Sequence, residues 1–378
     1  MMSTDIVIVG SGFAARQLVK HLRLRDKAVT IRLIAADSCD EYNKPELSHV
    51  FSQRLNADAL TRERAETFAE QNNLLLNRNT RVSAIDPASH RLATSEGDFT
   101  YGKLVLATGA EALVPTFPGS ELMITLNSQQ AFRSAQDKLH NARRVLLLGG
   151  GLIGTELAMD LNHAGKTVTL VERAASLLAS LMPAEVSARL QHCLLKAGVD
   201  LRLHNELAAL TLENDALQAT LSNGQQIECD AAICAVGLRP NIALAREAGL
   251  HTRRGIVVDD TLSTSHPDIF SLGDCAEISG QLMPYLQPAQ MAALTLAKNL
   301  TGSTETLHLP AMLIKVKTPD LILHLAGNTT APDLLWQMSF GPQGMVARGI
   351  NPTGALEAFV VSEGEMKQAF ALLKQLPK

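Results

Sequence analysis

The residues best suited to chemistry in this sequence form two glycine-rich turns, each of which follows a run of apolar residues. The first turn is Gly10-Ser-Gly12-Phe-Ala-Ala15, and the second is Gly149-Gly-Gly151-Leu-Ile-Gly154. Glycines at this spacing let the backbone approach a pyrophosphate, and the following helix points amide donors at the anion. Because an isolated motif of this kind also occurs as a plain strand-to-helix turn, its surroundings decide between the two interpretations.

An acidic residue follows each turn at the distance that a dinucleotide fold requires. Such an acid holds the ribose hydroxyls and comes about 20 residues after the last small residue of the motif. In the second copy, Glu172 ends the apolar run 167–171. In the first copy the candidate is Asp37, after the run 29–35, although a loop carboxylate in water is the alternative. Two such units predict two bound dinucleotides.

Small residues and one further acid end other apolar runs. The run 103–106 leads into Ala107-Thr108-Gly109, and a later run ends at Gly237. Small residues at the carboxyl end of a parallel strand let a ligand lie close above it. Asp274 follows another buried run, where it would bind a hydroxylated ligand or, alternatively, cap the next helix.

The elements that must position these residues follow from periodicity and from helix start and stop signals. Apolar runs without polar interruption, such as 6–9, are typical of strands buried on both faces of a parallel sheet. Proline and glycine bound two of the predicted helices. Helices are predicted at 13–24, 129–141, 183–198, 287–298 and 363–373, and 58–72 is a polar, helix-favouring run. The run 227–236 is predicted as one strand, and four strands are predicted between 311 and 349.

The composition narrows the class of protein. The chain has 378 residues, 46% hydrophobic and 19% charged, which is typical of a globular protein of two or three domains. A net charge of −4 argues against an electrostatic binder of nucleic acid or membranes. No apolar run approaches the ~18 residues that span a bilayer, and the first strand begins too early for a leader peptide.

The cysteines argue against several kinds of site. Without a CxxC pair, zinc, iron–sulfur and thioredoxin-like sites are disfavoured. An odd number also fits a reduced, cytoplasmic chain better than a disulfide scaffold. The five are Cys39, Cys193, Cys229, Cys234 and Cys275. Because Cys229 and Cys234 are predicted on opposite faces of one strand, we expect no disulfide between them.

The order of these motifs resembles the pyridine-nucleotide-disulfide reductase-like flavoproteins, specifically the rubredoxin and ferredoxin reductase branch, over essentially the whole chain. The stretches 41–48, 125–130 and 312–319 also carry the resemblance. It implies an α/β fold with two Rossmann-like domains, one for FAD and one for NADH, plus a small α+β C-terminal domain. The implied boundaries are 1–110 with 241–302 for FAD, 111–240 for NAD, and 303–378 for the C-terminal interface domain.

The resemblance also implies roles for individual residues. The flavin contacts would be Gly10, Ser11, Gly12, Phe13, Ala14, Ala15, Asp37, Lys44, Val82, Ala107, Thr108, Gly109, Asp274, Gln290 and Lys317. The NADH contacts would be Gly149, Gly151, Leu152, Ile153, Gly154, Glu172 and Gly237. Lys44, Lys317 and Glu156 would act at the flavin and nicotinamide.

Two positions depart from the family pattern. Ala36 stands where the family often has an acid, so the ribose role either moves to Asp37 or is lost. The stretch 42–48 has no redox cysteine, so no thiol relay is expected. The histidines His49, His163 and His192 are interpreted as surface or packing residues.

The implied activity is hydride transfer from NADH to FAD, followed by release of single electrons to an iron protein. The implied acceptor is the rubredoxin domain of a flavorubredoxin that reduces nitric oxide, reached through a basic patch that would include Lys44, Lys317 and Arg348. We expect a monomer. The alternatives are a ferredoxin reductase that feeds an oxygenase and a redox-sensing, NADH-binding flavoprotein.

Overall fold

A computed structural model describes residues 4–214, 216–316, 321–341 and 344–377. The helices are α1 Phe13–Arg25, α2 Ala65–Gln71, α3 Gln129–Asn141, α4 Leu152–His163, α5 Ala184–Lys196, α6 Ala243–Glu247, α7 Leu286–Leu300 and α8 Met366–Leu373. Short 3-10 helices cover Lys44–His49, Asp58–Leu60, Ser120–Leu122, Gly273–Cys275 and Glu363–Glu365. Within the described ranges, no helix is long and apolar enough to cross a membrane.

The strands alternate with these helices along much of the chain. In order they are β1 Thr4–Val9, β2 Ile31–Ile34, β3 Glu41–Tyr42, β4 Thr61–Glu63, β5 Leu74–Asn77, β6 Val82–Asp86, β7 Arg91–Thr94, β8 Gly97–Leu106, β9 Ala110–Ala112, β10 Ile124–Thr125, β11 Arg144–Leu148, β12 Thr167–Glu172, β13 Asp200–Leu203, β14 Leu207–Glu213, β15 Ala216–Leu221, β16 Gln226–Cys229, β17 Ala231–Cys234, β18 Leu238–Pro240, β19 Ile256–Val258, β20 Ile269–Ser271, β21 Ala276–Ile278, β22 Gln281–Leu282, β23 Ile314–Val316, β24 Leu323–Gly327, β25 Leu335–Gly341, β26 Gly344–Ile350 and β27 Leu356–Ser362.

The chain divides into two compact units. The first unit contains Met1–Asn43, Thr61–Glu111 and Leu238–Leu309, and the second contains Lys44–Leu60, Ala112–Gly237 and Pro310–Lys378. Both units therefore consist of three separate stretches of sequence.

A parallel sheet forms the centre of the first unit. Its strands β5, β2, β1, β8 and β20 lie side by side and run in one direction, and the antiparallel strands β7 and β6 extend from the first half of β8. Along β1, Ile6 and Ile8 pack with the side of the sheet that α1 and α7 cover, whereas Val7 and Val9 pack with the opposite core. Both faces are buried, as the uninterrupted apolar run predicts.

The second unit repeats this arrangement and adds an antiparallel layer. Strands β10, β17, β11, β12 and β13 form a parallel sheet, and β14, β15 and β16 form an antiparallel sheet. The C-terminal strands lie in the order β23, β24, β27, β26, β25. Inward residues of that sheet, such as Leu325 and Val360, join the core of the second parallel sheet, and α8 covers the other face. The α/β prediction is confirmed.

Local predictions succeed where capping and periodicity agree. Helix α3 has the predicted bounds, because the Ser128 hydroxyl accepts a hydrogen bond from the Ala131 amide and caps it. The helix expected at 58–72 is wrong in its first half, where a 3-10 turn leads into β4, and only α2 is helical. There Thr61 pairs with Tyr42 across β3 and β4, so tertiary pairing overrides the local helix preference.

The single strand expected at 227–236 is two strands. The chain breaks at Asp230, whose carboxylate accepts the Arg143 and Arg144 amides at 2.8 Å. Cys229 and Cys234 therefore lie on different strands, and both pack into the same core as free thiols, so the expected opposite-face geometry is wrong. Strand β27 and the short helix α6 were missed, although the apolar run 359–361 is the signal that could have found β27.

Candidate functional site

The first glycine turn lies at the carboxyl edge of the first unit's parallel sheet. Gly10 follows β1 with a φ of 120°, and its amide donates to the Ile34 carbonyl at 2.8 Å. A Cβ at Gly10 would lie 2.1 Å from the Ala107 carbonyl oxygen, so this position requires glycine. Gly12 then caps α1, and as a glycine it has no side chain that could bond to the first amides of that helix.

Gly12 has a different reason to be glycine. Its φ of −68° suits any residue, and among the described residues other than its two chain neighbours, no atom lies within 4 Å of the position that a Cβ would take. The protein's own packing therefore leaves this position open. An open surface over uncapped helix amides is what a pyrophosphate would fill, and the residues present fit a dinucleotide.

Asp37 lies against the same turn. The Ser11 hydroxyl donates to both carboxylate oxygens of Asp37, at 2.7 and 2.9 Å, and the Cys39 amide donates to one of them at 2.9 Å. The predicted ribose acid therefore reaches the glycine turn although it comes after the end of β2. Ala36, before it, is exposed.

Three further segments reach the same edge. The Thr108 hydroxyl donates to the Asn241 carbonyl at 2.8 Å, and the Asn241 amide group donates back to the Thr108 carbonyl, which fixes the segment Ala107–Gly109. Gly273, with a φ of 79°, passes so close to α1 that a Cβ there would lie 2.8 Å from the Ala14 Cβ. This contact sets the half-buried Asp274 beside the first turn of α1. Sequence reasoning did not identify this role of Asn241.

The remaining predicted flavin residues of this unit differ in exposure. Ala15 is fully buried in α1, and Val82 at the start of β6 is 7% exposed and packs with Val9. Phe13, at the start of α1, is 36% exposed, and Gln290 is exposed near the N-terminus of α7. Helix α7 also has no side-chain cap on its first amides.

A buried arginine lies under this edge. Arg16, 3% exposed, donates to the Cys39 carbonyl at 2.5 Å and to Glu63 at 3.3 Å, and its guanidinium lies 4.1 Å from the centre of the Phe68 ring. Glu41 is 3.6 Å away. Burial lowers the pKa of Arg16, and the two carboxylates oppose that shift. Sequence reasoning did not identify this residue.

The second glycine turn repeats the first in the second unit. Gly149 has a φ of 109°, and a Cβ there would lie 2.6 Å from the Ala235 carbonyl oxygen. Gly154, inside α4, approaches so closely that a Cβ would lie 1.9 Å from the Gly149 oxygen. Gly151 caps α4 with a φ of −75° and has open space around its Cβ position. This turn also fits a dinucleotide.

Glu172 closes the second turn. One carboxylate oxygen accepts the Gly150 amide at 2.6 Å, and the other accepts the Ala174 amide at 2.8 Å. Leu152 is partly buried and Ile153 is 44% exposed, just after the cap. Gly237, with a φ of 125°, follows β17, and its carbonyl accepts the Leu113 amide at 3.0 Å.

Glu156 lies one turn further along α4 and is 8% exposed. The Ser48 hydroxyl donates to its carboxylate at 2.9 Å, and His49 Nε2 lies 3.9 Å from the same oxygen. Both residues belong to the 3-10 helix that begins at Lys44, which is half-buried. The interpretation of His49 as a surface or packing residue stays a prediction, since its side chain is 26% exposed while its ring approaches Glu156.

Two of the predicted basic residues remain to be described. Lys317 lies outside the described residues. Arg348, on β26, donates to Gln368 at 3.1 Å and to Ser339 at 3.4 Å. The basic patch therefore stays a prediction.

Two of the buried thiols are poorly suited to redox chemistry. Burial raises the pKa of Cys39 to about 12 and that of Cys229 to about 11, which keeps both protonated and unreactive near neutral pH. Across the described ranges, no group of three or more His, Cys, Asp or Glu side chains is placed to hold a metal ion.

Comparisons with known proteins agree with this geometry. The family profile described as "Pyridine nucleotide-disulphide oxidoreductase" matches residues 4–294, and that of a "Rubredoxin binding C-terminal domain" matches residues 306–376. Proteins called nitric oxide reductase FlRd-NAD(+) reductase, from Citrobacter koseri and from Escherichia coli, are 58% identical over 376 residues and are covered completely, as is this chain.

Solved structures show the same fold. A ferredoxin reductase for the CYP199A2 system of Rhodopseudomonas palustris has a TM-score of 0.89 at 26% identity, covering 100% of this chain and 96% of that one. An NADH:rubredoxin oxidoreductase from Clostridium acetobutylicum has a TM-score of 0.83 at 20% identity, covering 99% of this chain and 95% of that one. With two glycine turns, an acid beside each and these matches, the chain belongs to the pyridine nucleotide-disulphide oxidoreductase family of FAD- and NAD-dependent reductases.

Proposed function

We propose that this chain is an FAD-dependent NADH reductase that passes electrons to the rubredoxin domain of a flavorubredoxin and so supports nitric oxide reduction. The observation that carries the proposal is the rubredoxin-binding profile on 306–376, together with 58% identity to the FlRd-NAD(+) reductases over the full length. The buried, protonated thiols also favour direct electron transfer over a cysteine relay.

The two cofactors are assigned to the two turns. In the first unit, Gly10–Ala15, Asp37 and the segment Ala107–Gly109 would hold FAD, with Val82, Asp274 and Gln290. In the second unit, Gly149–Gly154, Glu172 and Gly237 would hold NADH. Glu172 supports NADH over NADPH, since its carboxylate accepts ribose hydroxyls but repels a 2′-phosphate. The adjacent Arg173 moderates that preference.

The residues of the first unit named above would hold FAD, which would supply the hydride-accepting and one-electron chemistry of the reaction. The protein's part is to bind, to orient and to set local charge. Glu156, fixed by Ser48, would lie near the nicotinamide. Lys44 and Lys317 would place positive charge near the flavin, and the uncapped first turn of α7 would offer amide donors to an anion.

Domain boundaries, oligomeric state and location belong to the same proposal. We assign FAD to 1–110 with 241–302, NAD to 111–240 and the interface domain to 303–378. The changes of compact unit after Glu111 and Gly237 support two of these boundaries. A monomer suffices without a thiol relay, and free cysteines fit a cytoplasmic location.

A ferredoxin reductase of an oxygenase system is the second candidate, and the 26% identity to such a reductase supports it. The chemistry would be the same, with a different iron protein as acceptor. Rates measured with each acceptor separate the two.

The test is an acceptor assay under anaerobic conditions. The purified protein is reduced with one equivalent of NADH and mixed in a stopped-flow instrument with the isolated rubredoxin domain or with an oxidised ferredoxin. We expect fast flavin reoxidation, matched in rate and amount by bleaching of the rubredoxin iron band. If only the ferredoxin reoxidises the flavin quickly, the acceptor is a ferredoxin and the rubredoxin domain is excluded. A stable NADH complex without electron transfer would favour the redox-sensing alternative. Failure of NADH to reduce the flavin would contradict the proposed reductase activity.

A further inference from the structure

We infer that Arg16 is a positioning residue for FAD, because it holds Asp37 in place through the backbone of Cys39. This inference rests on the proposed FAD site of the first unit. It concerns a residue that no glycine motif includes and that lies inside the protein, below the surface where the cofactor would bind.

Arg16 contacts the loop that follows β2. Its guanidinium donates to the Cys39 carbonyl at 2.5 Å, and the side chain is 96% buried. Cys39 has a φ of 59°, a left-handed conformation that a residue with a Cβ adopts only when its surroundings hold it. A charged donor on the Cys39 carbonyl is such a restraint.

Cys39 is connected to the glycine turn through Asp37. The Cys39 amide donates to the Asp37 carboxylate at 2.9 Å, and the Ser11 hydroxyl donates to the same carboxylate. The contacts therefore run without interruption from Arg16 through Cys39 and Asp37 to Ser11. If the Cys39 peptide turned away, Asp37 would lose a donor that sets its direction.

The acidic neighbours of residue 16 favour an arginine at this position. Glu41 and Glu63 are cross-strand partners on β3 and β4, an arrangement in which like charges repel. The guanidinium lies 3.6 Å from Glu41 and 3.3 Å from Glu63 while it also bonds to Cys39. The planar guanidinium carries several N–H donors and can bond to Cys39 and both glutamates together, whereas the ammonium group of a lysine is a single compact charge. Phe68 supports the guanidinium plane at 4.1 Å.

The experiment is a double-mutant cycle on FAD binding by the full-length apoprotein, measured by the quenching of flavin fluorescence. The variants are Arg16→Met, Arg16→Lys and Asp37→Ala, with each Arg16 change also made in the Asp37→Ala background, because alanine removes the acceptor of the Cys39 amide whereas asparagine would keep it. Arg23→Met is the matched control, because Arg23 also lies on α1 and also donates to carbonyls, those of Val29 at 2.7 Å and Asn73 at 2.9 Å, but it does not bond to Asp37 or Cys39. Thermal unfolding of each apoprotein reports stability separately.

We expect Arg16→Met to weaken FAD binding at least tenfold in the natural background and less than threefold once Asp37 is changed. Arg16→Lys should keep the unfolding temperature close to that of the unchanged protein, since it still pairs with the glutamates, yet bind FAD several-fold more weakly. Arg23→Met should lose stability but change FAD affinity less than threefold.

Equal, additive effects of Arg16 in both backgrounds would overturn the inference, because Arg16 would then act without Asp37. The same holds if Arg16→Lys binds FAD as tightly as the unchanged protein. If Arg16→Met does not fold, the double-mutant cycle of Arg16→Lys with the Asp37 variant tests the inference by itself. An unchanged apoprotein that does not bind FAD would instead overturn the proposed function, and the inference with it.

Discussion

Replacing Gly151 by alanine should separate nucleotide binding from folding. At φ −75° and ψ −172° alanine is allowed, and apart from its two chain neighbours no described residue has an atom within 4 Å of the added methyl group. Alanine is a poorer helix cap than glycine by ~0.5–1 kcal/mol, but it lowers the entropy of the unfolded chain by a similar ~0.4–1 kcal/mol. We therefore expect the free energy of unfolding to change by less than ~1 kcal/mol.

NADH binding should change much more. The methyl group occupies the open space over the first amides of α4, where the pyrophosphate would lie. Loss of one hydrogen bond to a charged group costs ~1.5–3 kcal/mol, which corresponds to roughly 10- to 150-fold weaker binding. The assays are the NADH dissociation constant, thermal unfolding and bound FAD content.

Gly12→Ala is the control at the equivalent position of the first unit, because Gly12 has the same open geometry there. It should weaken FAD binding and leave the apoprotein's stability unchanged. Gly154→Ala gives the opposite contrast, since its Cβ would lie 1.9 Å from the Gly149 oxygen and the second unit should fold poorly. If Gly151→Ala folds normally and binds NADH with unchanged affinity, the pyrophosphate does not lie against this turn and the reasoning is refuted.

Two further predictions follow from charged groups in the second unit. Glu172→Gln should raise the ratio of kcat/KM for NADPH to that for NADH about tenfold, because removing one negative charge relieves repulsion of a 2′-phosphate; an unchanged ratio would contradict this role. Hydrogen bonds from Arg144 lower the pKa of Asp230 from 3.8 to about 2, so this pair stabilises the fold above pH 4 and the contribution is lost as the pH falls towards 2. Asp230→Asn should therefore cost on the order of 1 kcal/mol in urea unfolding at pH 7, less at pH 3, and a pH-independent difference would contradict the assignment.

The sequence predicted the parts of the site that local patterns determine. A strand, a glycine turn and a helix come together within about 30 residues, so the turns, Asp37 and Glu172 could be identified directly. The strands of the first parallel sheet were predictable for the same reason, since their apolar runs need no knowledge of distant partners.

The rest depends on contacts between residues far apart in the chain. Ser48 and Glu156 are 108 positions apart, and Arg16 reaches a carbonyl 23 positions away, and neither contact has a sequence signature. The failed helix at 58–72 has the same origin, because pairing with β3 holds β4 extended. Periodicity describes one element at a time, whereas these contacts are set by which elements pack together.

The interleaving of the two units has a consequence for biosynthesis. The first unit needs residues up to Leu309 before its last stretch is available, and the second needs residues beyond Pro310. Neither can finish folding early on the ribosome, although domains usually fold as they emerge. The two glycine turns are thus synthesised long before the strands and helices that complete their surroundings. Partly folded chains would expose the apolar residues of β1, β8 and β11 during this interval, so expression yield should depend on the rate of translation and on chaperones.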